Sequence, residues 1–391
     1  MSMPLVYLDN NATTSVAPEV LEAMLPYLRD AYGNPSSMHD FGGHLSKVVD
    51  HARGQLAALI GAHPDEIIFT SCGTESDNTA IASALETQPT KRHLVTTKVE
   101  HPALISQMNF LQKKGYEVTF VEVRPDGICE PETVRAAIRP DTAIVSVMWA
   151  NNETGVINPI AEIAAAVKEK GVLFHTDAVQ AVGKEPIDLS VTPVDMLSLS
   201  GHKLHAPKGI GALFLRRGTP FRPYIMGGHQ ENGRRGGTYA VPNIVALGAA
   251  AELAGAHMAE ERRRVTALRD RLEAGLLERI PAVHRLGNPE LRLFNTTAVS
   301  FEFIEGEAIL LLLSENGVCA SSGSACSSGS LEPSHVLRAM GLPFELCHAS
   351  IRFSFSRYNT DADVDRVLEV TPGIIRELRR ISPFTPPELL R

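Results

Sequence analysis

Two residues far apart in the chain carry chemistry of their own. Cys326 lies in Ser321-Ser-Gly-Ser-Ala-Cys-Ser-Ser-Gly-Ser330, a stretch of Ser, Gly and Ala around one thiol. Such a stretch has little apolar area to bury and much backbone freedom, so its composition predicts a flexible, solvated tether that keeps the thiol within reach. Lys203 ends Ser200-Gly-His-Lys203, a small-residue turn suited to holding an amine against an aldehyde. Each has a plainer reading, an incidental cysteine in a linker and a solvated lysine. Together, a reachable thiol and a carbonyl-trapping amine point to sulfur chemistry.

Further polar residues stand where short apolar runs end, the edge at which open α/β sheets bind ligands. Asp177 follows Val172-Leu-Phe-His-Thr176, with Gln180 one turn on. A carboxylate there suits a pyridine cofactor, whose ring nitrogen it keeps protonated. Gly73 and Thr74 open a helix after Ile67-Ile-Phe-Thr70, where free N–H groups and the helix dipole favour a phosphate. Ser200 and His202 precede Lys203 at another strand end. Singly, these are helix caps and loop residues; as a set they converge on one cofactor, pyridoxal phosphate. His101, before Pro102, is placed to stack on a flat ring, and Asn151 and Asn152 end the Val145–Trp149 run. Arg352, between Ile351 and Phe353, needs a partner, either a substrate carboxylate or an internal acid. His175 reads as a core histidine without a chemical role. Cys72, Cys129, Cys319 and Cys347 read as inert packing.

The elements that must position these residues follow from periodicity. Helices are predicted over 18–31, 41–60, 102–114 and 159–170, and another opens at Gly73. Strands are predicted over 67–70, 93–97, 118–122, 143–148, 172–176, 196–199 and 211–215. This alternation, with unbroken apolar strands, is the signature of a mostly parallel sheet covered on both faces. Residues 242–280 read as helical with a break. They lead to a strand at 299–303, a helix at 307–313, the Ser/Gly loop, a strand at 351–355 and a helix at 361–379. The larger part is α/β and the smaller α+β.

At 391 residues with 44% hydrophobic and 21% charged content, the composition is that of an ordinary globular protein. The net charge of −8 argues against nucleic acid or an anionic membrane as partner. No apolar run reaches the roughly 20 residues of a membrane span. The start shows no secretory signal, and five cysteines without a CxxC pair suggest a reducing, cytoplasmic compartment.

These motifs resemble the pyridoxal-phosphate-dependent cysteine desulfurases of the class V aminotransferase superfamily, the NifS/IscS family, and most closely its nitrogen-fixation type. The resemblance runs nearly end to end. It includes Tyr7-Leu-Asp-Asn-Asn-Ala-Thr-Thr14, Phe69-Thr-Ser-Cys-Gly-Thr-Glu-Ser-Asp77, Val147-Met-Trp-Ala-Asn-Asn-Glu-Thr-Gly155, Phe174-His-Thr-Asp-Ala-Val-Gln180, Ser200-Gly-His-Lys-Leu-His-Ala-Pro-Lys-Gly209 and Ser321-Ser-Gly-Ser-Ala-Cys326. It implies fold type I, with a seven-stranded, mostly parallel sheet in a large domain of residues 16–260. Residues 1–15 and 261–391 then form a small α+β domain carrying the cysteine loop at about 321–333. It also implies that Lys203 carries the cofactor, Asp177 pairs with its ring nitrogen and Gln180 contacts its phenolic oxygen. His101 would stack on the ring and assist proton transfer, and Gly73, Thr74, Ser200 and His202 would hold the phosphate. Thr238, preceded by Gly236-Gly237 where relatives often carry other small residues, would join them from the other subunit of a homodimer. Asn152 and Arg352 would orient L-cysteine, and Cys326 would receive its sulfur for a scaffold protein in iron–sulfur assembly. Cys326 is also the candidate ligand for an iron–sulfur cluster, although one cysteine does not by itself predict one. Rival expectations are a selenocysteine lyase or aminotransferase on the same scaffold, and a sulfur-carrier platform without turnover.

Overall fold

The short apolar runs become strands because each is flanked by turn residues and buried by helices on both sides. The computed structural model describes residues 5–322 and 332–390. A short strand β1 (Val6–Tyr7) precedes seven that form one sheet: β2 (Ile67–Thr70), β3 (His93–Thr97), β4 (Glu117–Val121), β5 (Thr142–Ser146), β6 (Leu173–Asp177), β7 (Met196–Ser200) and β8 (Gly211–Leu215). Their order is β2-β8-β7-β6-β5-β3-β4. Strand β8 runs antiparallel to both of its neighbours and the other pairs are parallel. The remaining six strands therefore all deliver their carboxyl ends to one edge.

Successive residues of each strand enter opposite cores, as the two-residue period requires. Ile68, Leu94, Ile144 and Leu213 pack with Ala80, Ile81, Leu104 and Met108 of the helices Gly73–Thr87 and Pro102–Lys113. Phe69, Val95, Val145 and Phe214 face the other way, toward the helices Pro18–Arg29, Leu45–Leu59 and Ile160–Glu169. With both faces covered, these strands show no polar alternation.

A separate core gathers β1, β9 (Val283–Arg285), β10 (Thr296–Phe301), β11 (Val318–Cys319), β12 (Ser321–Ser322) and β13 (Ser350–Ser354). Here the sheet order is β12-β13-β10-β9, all antiparallel, and β1 pairs in parallel with β11. The helix Asp361–Ile381 covers it with Val364, Val367, Leu368, Thr371, Ile374, Ile375 and Leu378, a three-and-four spacing that makes one buried stripe. Its first turn is closed by a reciprocal cap between Thr360 and Asp363.

One sequence expectation is corrected. Residues 242–280 contain no break; Val241–Arg279 is a single helix of 39 residues, about 58 Å long at 1.5 Å per residue. Its first part, with Ile244, Leu247 and Ala251, lies in the core of the large sheet. Its last part, with Val265, Leu268, Leu272 and Leu276, lies in the other core. The polar run Glu260-Glu-Arg-Arg-Arg264 marks the passage from one core to the next rather than an interruption. Pro242 sits in the first turn, where no intrahelical N–H is required. Gly248 is demanded by packing, since a Cβ there would stand 2.7 Å from Ala52 of the facing helix. A smaller difference is that 41–60 forms two helices, Asp40–Gly43 and Leu45–Leu59, meeting at His44. Among the described residues no helix is long and apolar enough to cross a membrane.

Candidate active site

The carboxyl edge of the large sheet holds a cavity of about 240 Å³. Each wall residue arrives there because a strand stops and a turn begins. Strand β7 ends at Ser200, and the single turn Gly201–Lys203 carries Lys203 into the cavity. Its ammonium donates to the backbone carbonyl of Ala12 at 2.8 Å and to that of Asn11. The loop after β1 therefore forms one wall. Strand β6 ends at Asp177, whose carboxylate accepts the Val179 N–H at 2.9 Å. Burial pushes the Asp177 carboxyl above its ordinary range, with His101, the Val179 amide and Lys203 pulling the other way. A carboxyl in that balance readily shares a proton with a basic nitrogen set against it.

His101 caps the helix Pro102–Lys113 by accepting the Ala103 N–H on Nδ1 at 3.1 Å. An accepting Nδ1 requires the neutral ring with its proton on Nε2. Burial, with Lys203 nearby, holds its pKa below the usual histidine value, while Asp177 opposes the shift. His202 is pushed down to about 4 by burial and the surrounding lysines, so it too is neutral.

The helix Gly73–Thr87 points its first turn at the same cavity. Its N-cap residue, Cys72, makes no side-chain cap hydrogen bond, which leaves N–H groups of the first turn uncapped. Gly73 has no room for a side chain, as a Cβ would stand 2.6 Å from Val179. The Ser200 hydroxyl is buried, lines the cavity and has no hydrogen-bond partner among the described residues.

Arg352, on β13, reaches the cavity from the other core. Of its two expected partners, the internal acid is present. One Nη donates to Asp9 at 2.7 Å and the other to the Asn152 carbonyl at 2.8 Å, while Nε is buried and unpartnered among the described residues. The Asn152 carbonyl also accepts from the Asn11 side chain at 3.2 Å.

Lys203, Asp177, Gln180, His101, Gly73, Thr74, Asn152, Ser200, His202 and Arg352 thus meet at one cavity. Thr238 does not line it; it is exposed beside a separate hollow with Gln230, Glu231 and Tyr239. Cys326 lies outside the described residues. His175 lies in the core, bridging Ser146 at 2.8 Å and Ser198 at 2.9 Å, and burial pushes it down to about 3. No group of three or more metal-ligating side chains occurs among the described residues.

Asn11, Ala12, Asp77 and Met148 also line the cavity, though sequence reasoning singled out none of them. Cys72, expected to be inert packing, occupies the N-cap position of the helix Gly73–Thr87 and also lines the cavity. Asp77 had a usable signal, standing four residues after Gly73 and hence on the same helix face. Asn11 and Ala12 had none, because their role lies in backbone carbonyls.

The donor set fits pyridoxal phosphate. Lys203 offers an amine, Asp177 a buried carboxylate, and the uncapped turn at Gly73–Thr74 with the lone Ser200 hydroxyl an anion cradle. Comparison with known proteins agrees. The profile of the class-V aminotransferase family matches residues 6–367. The chain is 60% identical over 383 residues to "Cysteine desulfurase 2" of Trichormus variabilis, covering 98% of this chain and 96% of that protein. It is 54% identical over 380 residues to "Cysteine desulfurase NifS" of Azotobacter vinelandii, covering 97% and 94%. A solved structure titled "NIFS-LIKE PROTEIN" superposes with a TM-score of 0.90 at 40% identity, over 96% of this chain and all of that one. On the strength of a family match and relatives that both span nearly its whole length, the chain belongs to the class-V aminotransferases, in their cysteine desulfurase family.

Proposed function

We propose that this protein is a pyridoxal-phosphate-dependent cysteine desulfurase, converting L-cysteine to L-alanine and leaving the sulfur as a persulfide on Cys326. The observation that carries this reading is the meeting of Lys203, Asp177, His101 and Arg352, from two separately packed sheets, at one cavity. Pyridoxal phosphate, when bound, supplies an aldehyde that an amine can capture and a protonated ring that takes up the electrons released at the substrate Cα. Lys203 is the cofactor's attachment point and, as a free amine, moves the Cα proton. Asp177 holds the proton on the ring nitrogen, and Gln180 donates to the ring oxygen. His101 stacks on the ring and assists proton transfer. Gly73, Thr74, Ser200 and His202 hold the phosphate.

Arg352 takes the substrate carboxylate and Asn152 helps to orient it. The Cys326 thiolate attacks the substrate sulfur; an S–S bond forms, the Cβ–S bond breaks, and its electron pair stays on carbon, where a proton replaces the sulfur. L-cysteine and one thiol thus become L-alanine and one persulfide, with no outside oxidant. The persulfide then passes to an acceptor protein for iron–sulfur cluster assembly. Relatives carrying the NifS name favour a nitrogen-fixation setting. Two copies of the chain work as a homodimer in the cytoplasm, each lending Thr238 to the other's phosphate site; that Thr238 lines a separate hollow and not its own chain's cavity favours that arrangement.

Absorbance of the purified protein before and after L-cysteine, with alanine and sulfide assayed, tests this reading. A visible cofactor band that changes with cysteine, and alanine formed without any keto acid, is expected. Absence of that band, or a keto-acid requirement, overturns it.

A further inference from the structure

Lys184 is a buried lysine that the reaction does not use. It lies on the turn that follows Asp177, four residues beyond Gln180, and is only 8% exposed. Lysine is seldom so enclosed without a partner. Its ammonium donates to the backbone carbonyl of Gln180 at 3.0 Å and to the side-chain oxygen Oε1 of Gln180 at 3.2 Å. The other end of the same amide, Nε2, donates to the Asn11 carbonyl at 2.9 Å.

These two neighbours decide which way the amide faces. An ammonium can only donate and a carbonyl can only accept. Rotating the amide by half a turn would set N–H against ammonium and oxygen against oxygen. The Asn11 carbonyl does not yield, because Asn11 is held by the Ser354 hydroxyl on its N–H and by Thr296 on its side chain, each at 2.9 Å. With Oε1 committed to Lys184, Nε2 keeps its second hydrogen for the cavity that Gln180 lines. Glu261 and Glu185 support the charge that burial opposes.

We propose that Lys184 is a positioning residue that locks the Gln180 amide with its N–H, rather than its oxygen, toward the cavity, so that this wall accepts an anionic oxygen. The proposal rests on the reading of Gln180 as a donor to the cofactor's ring oxygen.

A double-mutant cycle on the full-length protein tests it. Trp149 is the only tryptophan in the sequence, its backbone N–H donates to the Asp177 carbonyl at 2.8 Å, and its chain neighbours Met148 and Ala150 line the cavity, so its fluorescence reports pyridoxal phosphate added to cofactor-stripped protein. Lys184→Met is expected to weaken that binding about tenfold and to move the visible absorption maximum of the loaded protein. Gln180→Ala is expected to do the same, and the double variant to be no worse than Gln180→Ala alone. Lys184→Gln, which keeps an N–H donor, is expected to retain the parent maximum. Lys184→Leu replaces Lys184→Met in the cycle if the latter does not fold. An unshifted Lys184→Met beside a shifted Gln180→Ala overturns this proposal alone, as do additive effects in the double variant. An unshifted Gln180→Ala overturns the reading of Gln180 and this proposal with it.

Discussion

Ser321 stands directly across from Arg352 in the antiparallel pairing of β12 with β13. Residues so paired project from the same face of a sheet, so the chain that leads to Cys326 leaves from beside the arginine that lines the cavity. Downstream, Ser334 donates to the buried Glu153 carboxylate, and His335 contacts the Glu100 carbonyl at 2.9 Å. Glu153 adjoins Asn152, and Glu100 adjoins His101. The described residues Ser321, Ser334 and His335 thus each meet the cavity lining or residues next to it.

Arg352→Ala is expected to raise the KM for L-cysteine roughly 10–100-fold, the loss of a charge-assisted pair, while the cofactor band stays as in the parent. Arg352→Lys restores charge without the planar fork and recovers only part of the loss. Steady-state kinetics beside absorbance measure both. An unchanged KM in Arg352→Ala removes the carboxylate contact.

Lys203→Ala is expected to lower turnover by about 10²–10⁴-fold or more and to leave no cofactor covalently attached after borohydride reduction. Mass spectrometry of the reduced protein decides the point. A stable adduct elsewhere on the variant would assign the attachment to a different amine.

Cys326→Ala separates cofactor chemistry from sulfur transfer. The cofactor band and its response to L-cysteine are expected to persist, whereas catalytic alanine and sulfide formation disappear. Turnover equal to the parent would exclude the thiol as acceptor.

Glu231→Ala is expected to destabilise the fold by about 3–5 kcal/mol, the effect of breaking a buried ion pair. Both oxygens of Glu231 pair with Arg53, at 2.7 and 2.8 Å, and one also accepts the Phe69 N–H of β2 at 2.9 Å. This joins the loop before Thr238 to the large sheet. A urea midpoint close to that of the parent would contradict the expectation.

Glu100 gives stability a pH dependence of known sign. Burial raises its carboxyl from the ordinary 4.5 to about 8, against hydrogen bonds from Thr97 and the Met148 N–H that favour the charged form. Between those values the folded protein keeps a proton that the unfolded chain has released. The contribution of Glu100 to stability is therefore fully present below about 4.5 and is lost as pH rises through about 8. Glu100→Gln, a neutral carboxamide at every pH, is expected to flatten urea midpoints measured across that window. A slope equal to the parent's would show that another group is responsible.

Much of the molecule is written in local order along the chain. Strands such as Ile67–Thr70 and Gly211–Leu215 are legible because four or five consecutive apolar residues between turn residues have few other folds open to them. Lys203, Asp177 and Arg352 stand out because an amine, an acid or a guanidinium beside an apolar run demands a partner. Nothing local reveals that Val241–Arg279 stays helical across a polar run, since its continuity comes from two cores at its two ends. Nor could residue type show that Asn11 and Ala12 serve through their backbone carbonyls, that Cys72 lies on the cavity wall, or that Lys184 grips Gln180. Those are contacts between segments whose separation only the packed chain removes, so residue types and spacing name the chemistry while folding selects the atoms that meet.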